Sequence, residues 1–587
     1  MTPRIPGFVG QMVPDLHAVR PPYALCVAAL ISACAAGSAP ASGQPRNLWG
    51  MDALRKAPME AEVVSSAAKN GYRAEGLYLT SQNTSSGPNR VFLTFARPTK
   101  SESPVPVFVN LTGGSDSPEA VLWLAEKLRC AVVDIEWRNP KSEHRSKWAC
   151  PTDMSVWHIG SDATDNIGYA LVTAARRALD FLALQPEIDM SRIACGGGSM
   201  GGYYSLLLAG VDDRIRCVFD TYGAGNLAKS GGRIGNGLSA LKPDERRAWL
   251  SAFDPLGYAS GSKASTFVYL AANDFFFWLG DGLANYNALG GEKRLLIVPN
   301  YNHNLGAFGE PVPDCGWDWV KHCLHSEPAF PTVTHPRARG SEYSWKAAGP
   351  MPVVRSVLYW SPGNVSWPSR YWLAIPATRS GERWTASIPK QFAGLTAAVF
   401  VTAFDSGDRA VSSPVALRRG ADPRKTEGPL WPGESLWDTQ RGPAAWRPSG
   451  PAADTGSVPS SVESAGAAGL RIAPASDDRR FALLTNSVVL AAGLASKYRG
   501  IRLAVDGCGS NGSLVVSLRR ESGSTSELAY SASVKYAASR TVVYIPWCVF
   551  KGPSEAAVQP YPFDGLRLDG ERADGSAFVV DSIGLYR

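Results

Sequence analysis

The chain has 587 residues, of which 45% are apolar and 19% charged, so it can bury the cores of about three domains. Its formal net charge is only +7, and no block of lysine and arginine occurs, which argues against a nucleic-acid-binding protein. Neither a P-loop nor a strand-linked dinucleotide fingerprint is present, so we expect no cofactor.

Residues 1–43 are typical of an export signal. The apolar run 24–36 is shorter than the roughly 20 residues that a membrane-spanning helix needs, and small residues follow it. Two cleavage sites can be read, an A-x-A site at 39–41 and a bacterial lipobox at 31–34, in which Cys34 would carry a lipid. We therefore expect an exported protein, either periplasmic, extracellular or held at the cell surface, with Cys34 as its one link to a membrane.

Beyond the signal, the chain divides into regions of different composition. Residues 45–335 alternate β-branched runs with helical stretches, which predicts a mostly parallel sheet with helices on both faces. Residues 345–420 contain only short strand-like runs and predict an immunoglobulin-like β-sandwich, most simply a spacer. Residues 421–460 are rich in proline and glycine and predict a linker, and residues 461–587 predict a second β-sandwich, a jelly roll.

A serine among glycines joins a strand to a helix in the first region. The pentapeptide 197–201 (Gly-Gly-Ser-Met-Gly) fits G-x-S-x-G and lies between strand-like residues 192–195 and helix-compatible residues 203–211. An amphipathic helix is predicted over 167–182. Because such a turn exposes its hydroxyl above the sheet, Ser199 is the predicted nucleophile; a flexible glycine loop is the alternative.

A serine nucleophile needs a base and an acid that orients the base. In a fold with this turn they follow the serine in the order acid, histidine, each after a strand. Asp274 stands just past the strand-like run 266–270, and His303 just past 294–298, so these two complete the predicted triad. Asp281 is the competing acid, a helical turn or two further along.

Acyl transfer also needs hydrogen-bond donors for the oxyanion. The backbone N–H of Met200 is one predicted donor, and the loop after an earlier strand supplies the other, with Thr112 and Gly113 as candidates. The predicted substrate pocket combines one residue of that loop with three aromatic residues after the acid: Gly114, Phe275, Phe276 and Trp278. Core packing is the alternative for each aromatic side chain. Residues 221–255 are long for a plain connection and predict a cap over the site.

Metal and disulfide chemistry have weaker signals. His322 and His325 flank Cys323, but no second cluster has zinc-site spacing, so we expect a helix end and no metal. An even number of cysteines follows the signal, which permits disulfides in an exported chain. Cys508 and Cys548 are one candidate pair that would staple the last domain, and unbridged thiols are the alternative.

The stretch 180–223 resembles the acetyl xylan esterase and dienelactone hydrolase branch of the α/β-hydrolases. The matching positions are an acidic D-x-x-R-I turn and a glycine-rich elbow: Asp189, Arg192, Ile193, Gly197, Gly198, Ser199, Gly201 and Gly202. Two features depart from that branch. Met200 stands where glutamine is usual, and EWRNP at 136–140 replaces an Arg-Gly motif.

The stretch 270–304 is similar to the PhoPQ-activated pathogenicity-related family. The matching residues surround the acid and the histidine: Asp274, Phe276, Phe277, Leu289, Glu292, Lys293, Pro299, Asn300 and His303. Both resemblances imply an α/β-hydrolase fold with the same serine, aspartate and histidine as its triad. The last strand, AFVVDSIGLYR at 577–587, resembles that of galactose-binding-like carbohydrate-binding modules, in which sugars stack on exposed aromatic rings.

The sequence thus predicts an exported serine hydrolase of carboxylic esters, with an ester substrate linked to a polysaccharide, as in acetyl xylan esterases. A peptidase or a polyester hydrolase with the same triad is one alternative. A non-catalytic glycan-binding surface protein on a hydrolase scaffold is the other. The aromatic candidates for glycan binding are Tyr536, Tyr544, Trp547 and Tyr561.

Overall fold

The computed structural model describes residues 48–586 except 116, 138–140, 150–155, 158, 160–161, 231–232, 273, 275, 300–302, 304–314, 363–366, 368–369, 371, 389, 391–392, 422–434, 439–445, 449–459, 466–468, 475–478, 486–497, 523–524 and 553–564. The predicted signal 1–43, with Cys34, and the predicted pocket residue Phe275 lie outside the described residues. Within the described ranges, no helix is long and apolar enough to cross a membrane.

The first unit is a sheet flanked by helices. Its strands are β1 (Glu62–Lys69), β2 (Tyr72–Thr84), β3 (Gly87–Pro98), β4 (Val105–Gly113), β5 (Ala131–Glu136), β6 (Ile188–Gly198), β7 (Cys217–Thr221), β8 (Ser265–Ala271) and β9 (Lys293–Val298). Its helices are α1 (Asp52–Lys56), α2 (Pro118–Leu128), α3 (Ile167–Leu182), α4 (Met200–Val211), α5 (Arg233–Gly237), α6 (Pro243–Phe253), α7 (Leu256–Ala259), α8 (Leu279–Ala288) and α9 (Cys315–His325). The amphipathic helix predicted over 167–182 is confirmed by α3 at both ends.

The nine strands form one sheet in the order β1-β2-β3-β5-β4-β6-β7-β8-β9. Strands β5, β4, β6, β7, β8 and β9 pair in parallel, and β1, β2 and β3 form an antiparallel edge. Separate apolar clusters cover the two faces, which is why β5 is buried along its whole length. The predicted mostly parallel sheet is confirmed, and the carboxyl ends of its parallel strands β4 to β9 lie at one end of the sheet, where α/β proteins place their sites.

The second unit consists of two antiparallel sheets. Its strands are β10 (Thr332–Val333), β11 (Arg337–Arg339), β12 (Glu342–Ala348), β13 (Val353–Pro362), β14 (Leu373–Pro376), β15 (Thr378–Ser380), β16 (Arg383–Ser387), β17 (Ala397–Asp405), β18 (Ala410–Ser412) and β19 (Ala416–Arg418). One sheet has the order β10-β12-β16-β15 and the other β14-β13-β17-β18. Trp345 of the first sheet donates its indole N–H to Ser356 of the second, at 3.0 Å.

This second unit packs directly on edge strand β9. The backbone N–H of Ile297 donates to Ser412 Oγ at 3.0 Å, and Arg409 Nη1 donates to Pro328 O at 2.5 Å. Trp372 and Phe400, both fully buried, belong to the same apolar cluster as residues of α3 and α4. The expectation of a simple spacer is therefore wrong, because this unit covers a sheet edge and completes a core.

The third unit has its own core. Its strands are β20 (Ser435–Asp438), β21 (Trp446–Pro448), β22 (Ser460–Ser464), β23 (Leu470–Pro474), β24 (Arg480–Thr485), β25 (Gly500–Asp506), β26 (Gly512–Ser522), β27 (Thr525–Tyr536), β28 (Thr541–Pro546), β29 (Gly565–Glu571) and β30 (Phe578–Tyr586). They form two antiparallel sheets, β22-β23-β30-β25-β28 and β21-β24-β29-β26-β27, around one apolar cluster. Strands β20 and β21 lie inside the predicted linker 421–460 but pair with β30 and β24, so this unit begins earlier than predicted.

The predicted disulfide between Cys508 and Cys548 is not formed. Strand β25 pairs with β28 antiparallel, with Gly500 opposite Pro546 and Val505 opposite Thr541. Each cysteine follows the carboxyl end of its own strand, so the two thiols lie at opposite ends of the strand pair, roughly 20 Å apart at about 3.4 Å per residue. A disulfide requires Cα atoms within about 7 Å, and both cysteines are exposed free thiols.

Candidate active site

Ser199 occupies a strained turn between β6 and α4. Its φ is 58° and its ψ −122°, which is rare for a residue with a side chain. The glycines around it have a steric reason. A Cβ on Gly197 would lie 2.9 Å from the carbonyl carbon of Gly201, and a Cβ on Gly201 would lie 2.5 Å from Leu111 O. The glycine cluster therefore lets the backbones of β6, the turn, α4 and the carboxyl end of β4 pack directly against one another.

His303 lies between the serine and an acid. Its Nε2 is 2.8 Å from Ser199 Oγ, and its Nδ1 is 2.8 Å from Asp274 Oδ2. In the tautomer with a proton on Nδ1, the imidazole donates to the carboxylate and accepts from the serine hydroxyl. The structure thus brings together three side chains that are distant in the sequence, along one line of hydrogen bonds.

Asp274 is held by its own loop. The side chain is 1% exposed, and its Oδ1 accepts the backbone N–H groups of Phe276 at 2.7 Å and Phe277 at 3.0 Å. The remaining oxygen, Oδ2, is the one that faces His303. These bonds fix the orientation of the carboxylate before it meets the imidazole, as a base-orienting acid requires.

Aromatic rings enclose the imidazole. The rings of Tyr222 and Phe276 lie 4.7 Å from that of His303 between centroids, and the ring of Phe277 lies at 6.3 Å. Burial, with a smaller effect of the nearby Asp274 charge, raises the pKa of Tyr222 to about 12, so its phenol stays neutral. The site is therefore an apolar environment in which hydrogen bonds between the polar groups are strengthened.

The predicted pocket residues, and Phe277 beside them, differ in burial and in the groups that they contact. Phe276 is half-buried against His303, as expected for a pocket wall, whereas Phe277 is buried and stacks on Tyr203. Trp278 is half-buried and precedes the first turn of α8. Gly114 has φ 103°, and a Cβ there would lie 2.9 Å from the backbone of Glu136, so a side chain would collide with β5.

The predicted oxyanion donors lie beside the serine. Met200 is the first residue of α4, where a backbone N–H has no acceptor within the helix. A Cβ on Gly201 would meet both Leu111 and Thr112, so the carboxyl end of β4, from which the loop continues, adjoins this helix end. The backbone N–H groups of the loop at 112–114 are therefore the candidates for the second donor, in agreement with the predicted Thr112 and Gly113.

Asp281, the competing acid, serves another segment. It is buried in the first turn of α8, where Ser230 Oγ donates to its Oδ2 at 2.5 Å and Asn226 Nδ2 to its Oδ1 at 3.1 Å. Both partners belong to the predicted cap 221–255, and Ile234 N–H donates to Phe276 O at 3.3 Å. Asp281 therefore anchors the predicted cap, which adjoins the loop that carries Asp274. The acid that faces His303 is Asp274.

Removing the Asp281 charge should change how stability depends on pH. Burial raises its pKa to about 6, with the Asp254 charge acting in the same direction. Because the folded pKa lies above the unfolded value, the proton stabilises the fold fully below about pH 4, and that stabilisation is lost as pH rises through 6, on the order of 3 kcal/mol. We expect Asp281→Asn to melt at a higher temperature than wild type at pH 8 and to approach it at pH 4. A melting curve with unchanged pH dependence would contradict this.

The histidines of α9 have backbone partners. His322 Nδ1 lies 2.5 Å from Glu327 O, and His325 Nε2 lies 2.8 Å from Leu128 O. Among the residues that the structure describes, no three histidine, cysteine or acidic side chains group as metal ligands. The two imidazoles secure the end of α9 to neighbouring loops.

The aromatic candidates for glycan binding in the third unit differ in their exposure to solvent. Tyr544 is 58% exposed, and its ring meets that of Tyr586 edge to face at 5.0 Å. Tyr536 is buried, and Trp547 is half-buried with its indole N–H donating to Tyr498 O at 2.8 Å. Tyr561 lies outside the described residues, so Tyr544 is the candidate that the structure exposes.

Sequence reasoning missed three residues near the site. Tyr222 packs on His303 from the loop after β7, while Asn110 and Asp134 are buried polar side chains in β4 and β5. A signal for the last two existed, because each interrupts an otherwise apolar strand, PVFVN and AVVDI. A polar residue in a strand buried on both faces needs a partner, and here the two are partners of each other.

Comparison with known proteins matches one part of the chain to a family. The family model of the PhoPQ-activated pathogenicity-related protein matches residues 172–337, less than half of the chain. The resemblance that the residues around Asp274 and His303 suggested is thus confirmed for this segment. No curated protein matches the chain.

Several solved structures are similar to about half of the chain. Acetyl xylan esterase 1 from Thermoanaerobacterium sp. has 20% identity over 47% of this chain and 92% of its own, with a TM-score of 0.39. An acetyl xylan esterase from Paenibacillus sp. has 22% identity over 48% of this chain and 94% of its own, with a TM-score of 0.40. An S-formylglutathione hydrolase from Agrobacterium tumefaciens has 15% identity over 45% of this chain and 99% of its own, with a TM-score of 0.34.

Proposed function

We propose that this protein is a serine hydrolase of carboxylic esters, with Ser199, His303 and Asp274 as its triad. The observation that carries the proposal is the continuous hydrogen-bond line from Asp274 Oδ2 through His303 to Ser199 Oγ, each step 2.8 Å long. The positive φ of Ser199 supports it, since this strain holds the hydroxyl out of the strand and out of the helix. Strained backbone of this kind clusters at active sites.

In the first half of the reaction, Ser199 Oγ attacks the ester carbonyl as His303 Nε2 takes its proton. Asp274 keeps the other imidazole proton on Nδ1 and offsets the positive charge that the ring acquires. Negative charge grows on the carbonyl oxygen, and backbone N–H groups of Met200 and of the loop at 112–114 stabilise it. The protonated His303 then donates its proton to the leaving alcohol, and an acyl-enzyme remains.

Water completes the cycle. His303 takes a proton from water, which attacks the acyl carbonyl, and the carboxylic acid leaves as Ser199 regains its proton. Phe276 and Tyr222 shield the imidazole, so the ring exchanges protons with the reactants more than with bulk water.

We further propose a carbohydrate-linked ester as substrate and an exported location. The apolar segment 24–36 supports export, and the exposed Tyr544 of the third unit supports contact with a glycan, since sugar rings stack on exposed aromatic faces. Acid release from acetylated xylan, compared with cleavage of a peptide anilide and of a polyester, tests this choice. Release from the peptide or polyester alone would replace the sugar-ester proposal by one of those activities.

The glycan contact predicts a separable defect. We expect Tyr544→Ala to reduce retention of the protein on insoluble xylan severalfold and to leave p-nitrophenyl acetate hydrolysis unchanged, because stacking on one ring contributes on the order of 1 kcal/mol. Val542→Ala is the matched control, since Val542 is 36% exposed on the same strand and lacks a ring. Equal retention of all three proteins would contradict a role for Tyr544.

A further inference from the structure

A buried polar network lies beneath residues 112–115, which form the carboxyl end of β4 and the start of the loop that follows it, and which we call the loop 112–115. Thr112 Oγ1 donates to Asn110 Oδ1 at 2.7 Å, and Asn110 Nδ2 donates to Asp134 Oδ1 at 2.5 Å. The other carboxyl oxygen, Asp134 Oδ2, accepts the backbone N–H of Ser115 at 2.7 Å. We call this chain of contacts the β4–β5 network. It joins both ends of the loop 112–115 to neighbouring parallel strands.

The network lies in the protein interior, where burying a polar group costs free energy. Asn110 is 2% and Asp134 3% exposed, in strands whose neighbouring residues are apolar. Burial raises the pKa of the Asp134 carboxyl, and the hydrogen bonds from Ser115 and Asn110 oppose that rise. Two apolar residues would fill these positions without any such penalty, so the network needs a reason other than stability.

Gly113 ends β4 and Gly114 follows it, and the intrinsic preferences of two glycines do not determine the backbone shape there. Gly113 and Gly114 have φ of 117° and 103°, conformations that glycine adopts freely and that many alternatives could replace. A glycine pair gives the substrate close access to the backbone but does not by itself fix the direction of its N–H groups. The contacts at Thr112 and Ser115 clamp the pair from both sides.

We propose that Asn110 and Asp134 are positioning residues for the oxyanion donors, acting through Thr112 and Ser115 on the N–H groups of the loop 112–114. The inference rests on the proposed ester hydrolysis. The two side chains touch no substrate, and their effect is to fix the donors before reaction, which is what electrostatic stabilisation of a transition state requires. Displacement of a donor by about 1 Å lowers a rate by up to about 100-fold.

Exchanging the two side chains tests the proposal. Asn110→Asp places two carboxylates face to face. Asp134→Asn removes the charged acceptor of Ser115 N–H, and the Asn110 amide must then turn its N–H groups toward Thr112, so each single variant breaks at least one bond of the original network. In the double variant, the asparagine at position 134 would donate to the aspartate at position 110 and accept from Ser115 N–H. That aspartate would also accept from Thr112, so every bond is restored, and the bond between positions 110 and 134 has the reverse polarity.

The exchange gives a specific kinetic expectation. We expect a fall in kcat for p-nitrophenyl acetate of about 10- to 100-fold in each single variant, with KM within about threefold of wild type. The double variant should recover kcat to within about threefold of wild type. Recovery by exchange is the result that a simple loss of packing would not give.

A control separates positioning from general destabilisation. Asn89 donates to Gln82 Oε1 at 3.2 Å in the β2–β3 hairpin and is fully buried, so Asn89→Asp places a carboxylate among neutral hydrogen-bond partners in a buried position elsewhere in the same sheet. It should lower the melting temperature and leave kcat unchanged. Single variants of the network that keep wild-type kcat, or a double variant that regains the melting temperature but not kcat, would overturn the proposal.

Hydrogen–deuterium exchange of peptides over 110–116 gives a readout that needs no turnover. We expect faster exchange in both single variants and wild-type exchange in the double variant; unchanged exchange in the single variants would overturn the proposal. If wild type hydrolyses no ester, the proposed function fails and this measurement alone decides the role of the network. If a single variant does not fold, Thr112→Val replaces it, because this change removes only the outermost side-chain contact.

Discussion

Replacing Ser199 by alanine should lower kcat for p-nitrophenyl acetate by at least about 1,000-fold. The attacking oxygen is lost, and the histidine then has only water to activate, so the residual rate comes from the oxyanion donors and substrate binding. The fold should persist, because alanine keeps the Cβ and the strained turn is set by the glycines around it. Circular dichroism and melting of the two proteins check this.

Ser205→Ala is the matched control for this prediction. Ser205 lies in α4, the helix that follows Ser199, is fully buried, and donates its hydroxyl to Gly201 O at 2.7 Å. Its loss should leave kcat within about threefold of wild type, since this hydroxyl faces the helix backbone and not the reacting atoms. Equal activity of the Ser199→Ala protein would show that another group attacks the ester, and activity absent from wild type would favour a glycan-binding protein on a hydrolase scaffold.

Replacing Asp274 by asparagine should lower kcat by about 1,000- to 10,000-fold at neutral pH. An asparagine keeps the shape of the side chain, and its oxygen can still accept from the Phe276 and Phe277 N–H groups. Its amide nitrogen then faces His303 Nδ1 and favours the tautomer with a proton on Nε2, which cannot accept the serine proton. Initial rates with p-nitrophenyl acetate at pH 7 measure the loss.

The competing acid supplies the control. Asp281→Asn removes a carboxylate in the first turn of α8 that faces Ser230 and Asn226. We expect its kcat to stay within about tenfold of wild type at pH 7, because the histidine keeps its own partner. A larger loss in Asp281→Asn than in Asp274→Asn, with both variants folded, would mean that Asp281 is the acid of the triad.

Much of the site could be predicted because its chemistry follows chain order. The glycine-flanked Ser199 identifies the turn, and strands with strong β-branched patterns place Asp274 and His303 at the same sheet edge. Asp281 could not be excluded in this way, because a loop of a few residues can present either acid. Only the path of that loop decides, since it directs two backbone N–H groups at Asp274.

Other features depend on contacts that no local pattern encodes. Asn110 and Asp134 form a buried pair because β4 and β5 are neighbouring strands that place these two residues opposite each other. The order and register of the strands could not be predicted from the sequence. The Cys508–Cys548 disulfide is predicted from the number of cysteines and their place in the domain, and strand pairing puts the thiols at opposite ends. Trp446 falls within the predicted linker, yet it is 1% exposed in the core of the third unit.

The second unit shares an apolar cluster with the first, and this limits where the chain can be divided into independent parts. Trp372 and Phe400 belong to the apolar cluster that also contains Leu295 and Ile297 of β9, so a cut near residue 330 would expose apolar surface along that strand. We therefore expect residues 48–421 to unfold as one cooperative domain built from two architectures. The third unit, with a core of its own, is the part that gene fusion could exchange without disturbing the triad.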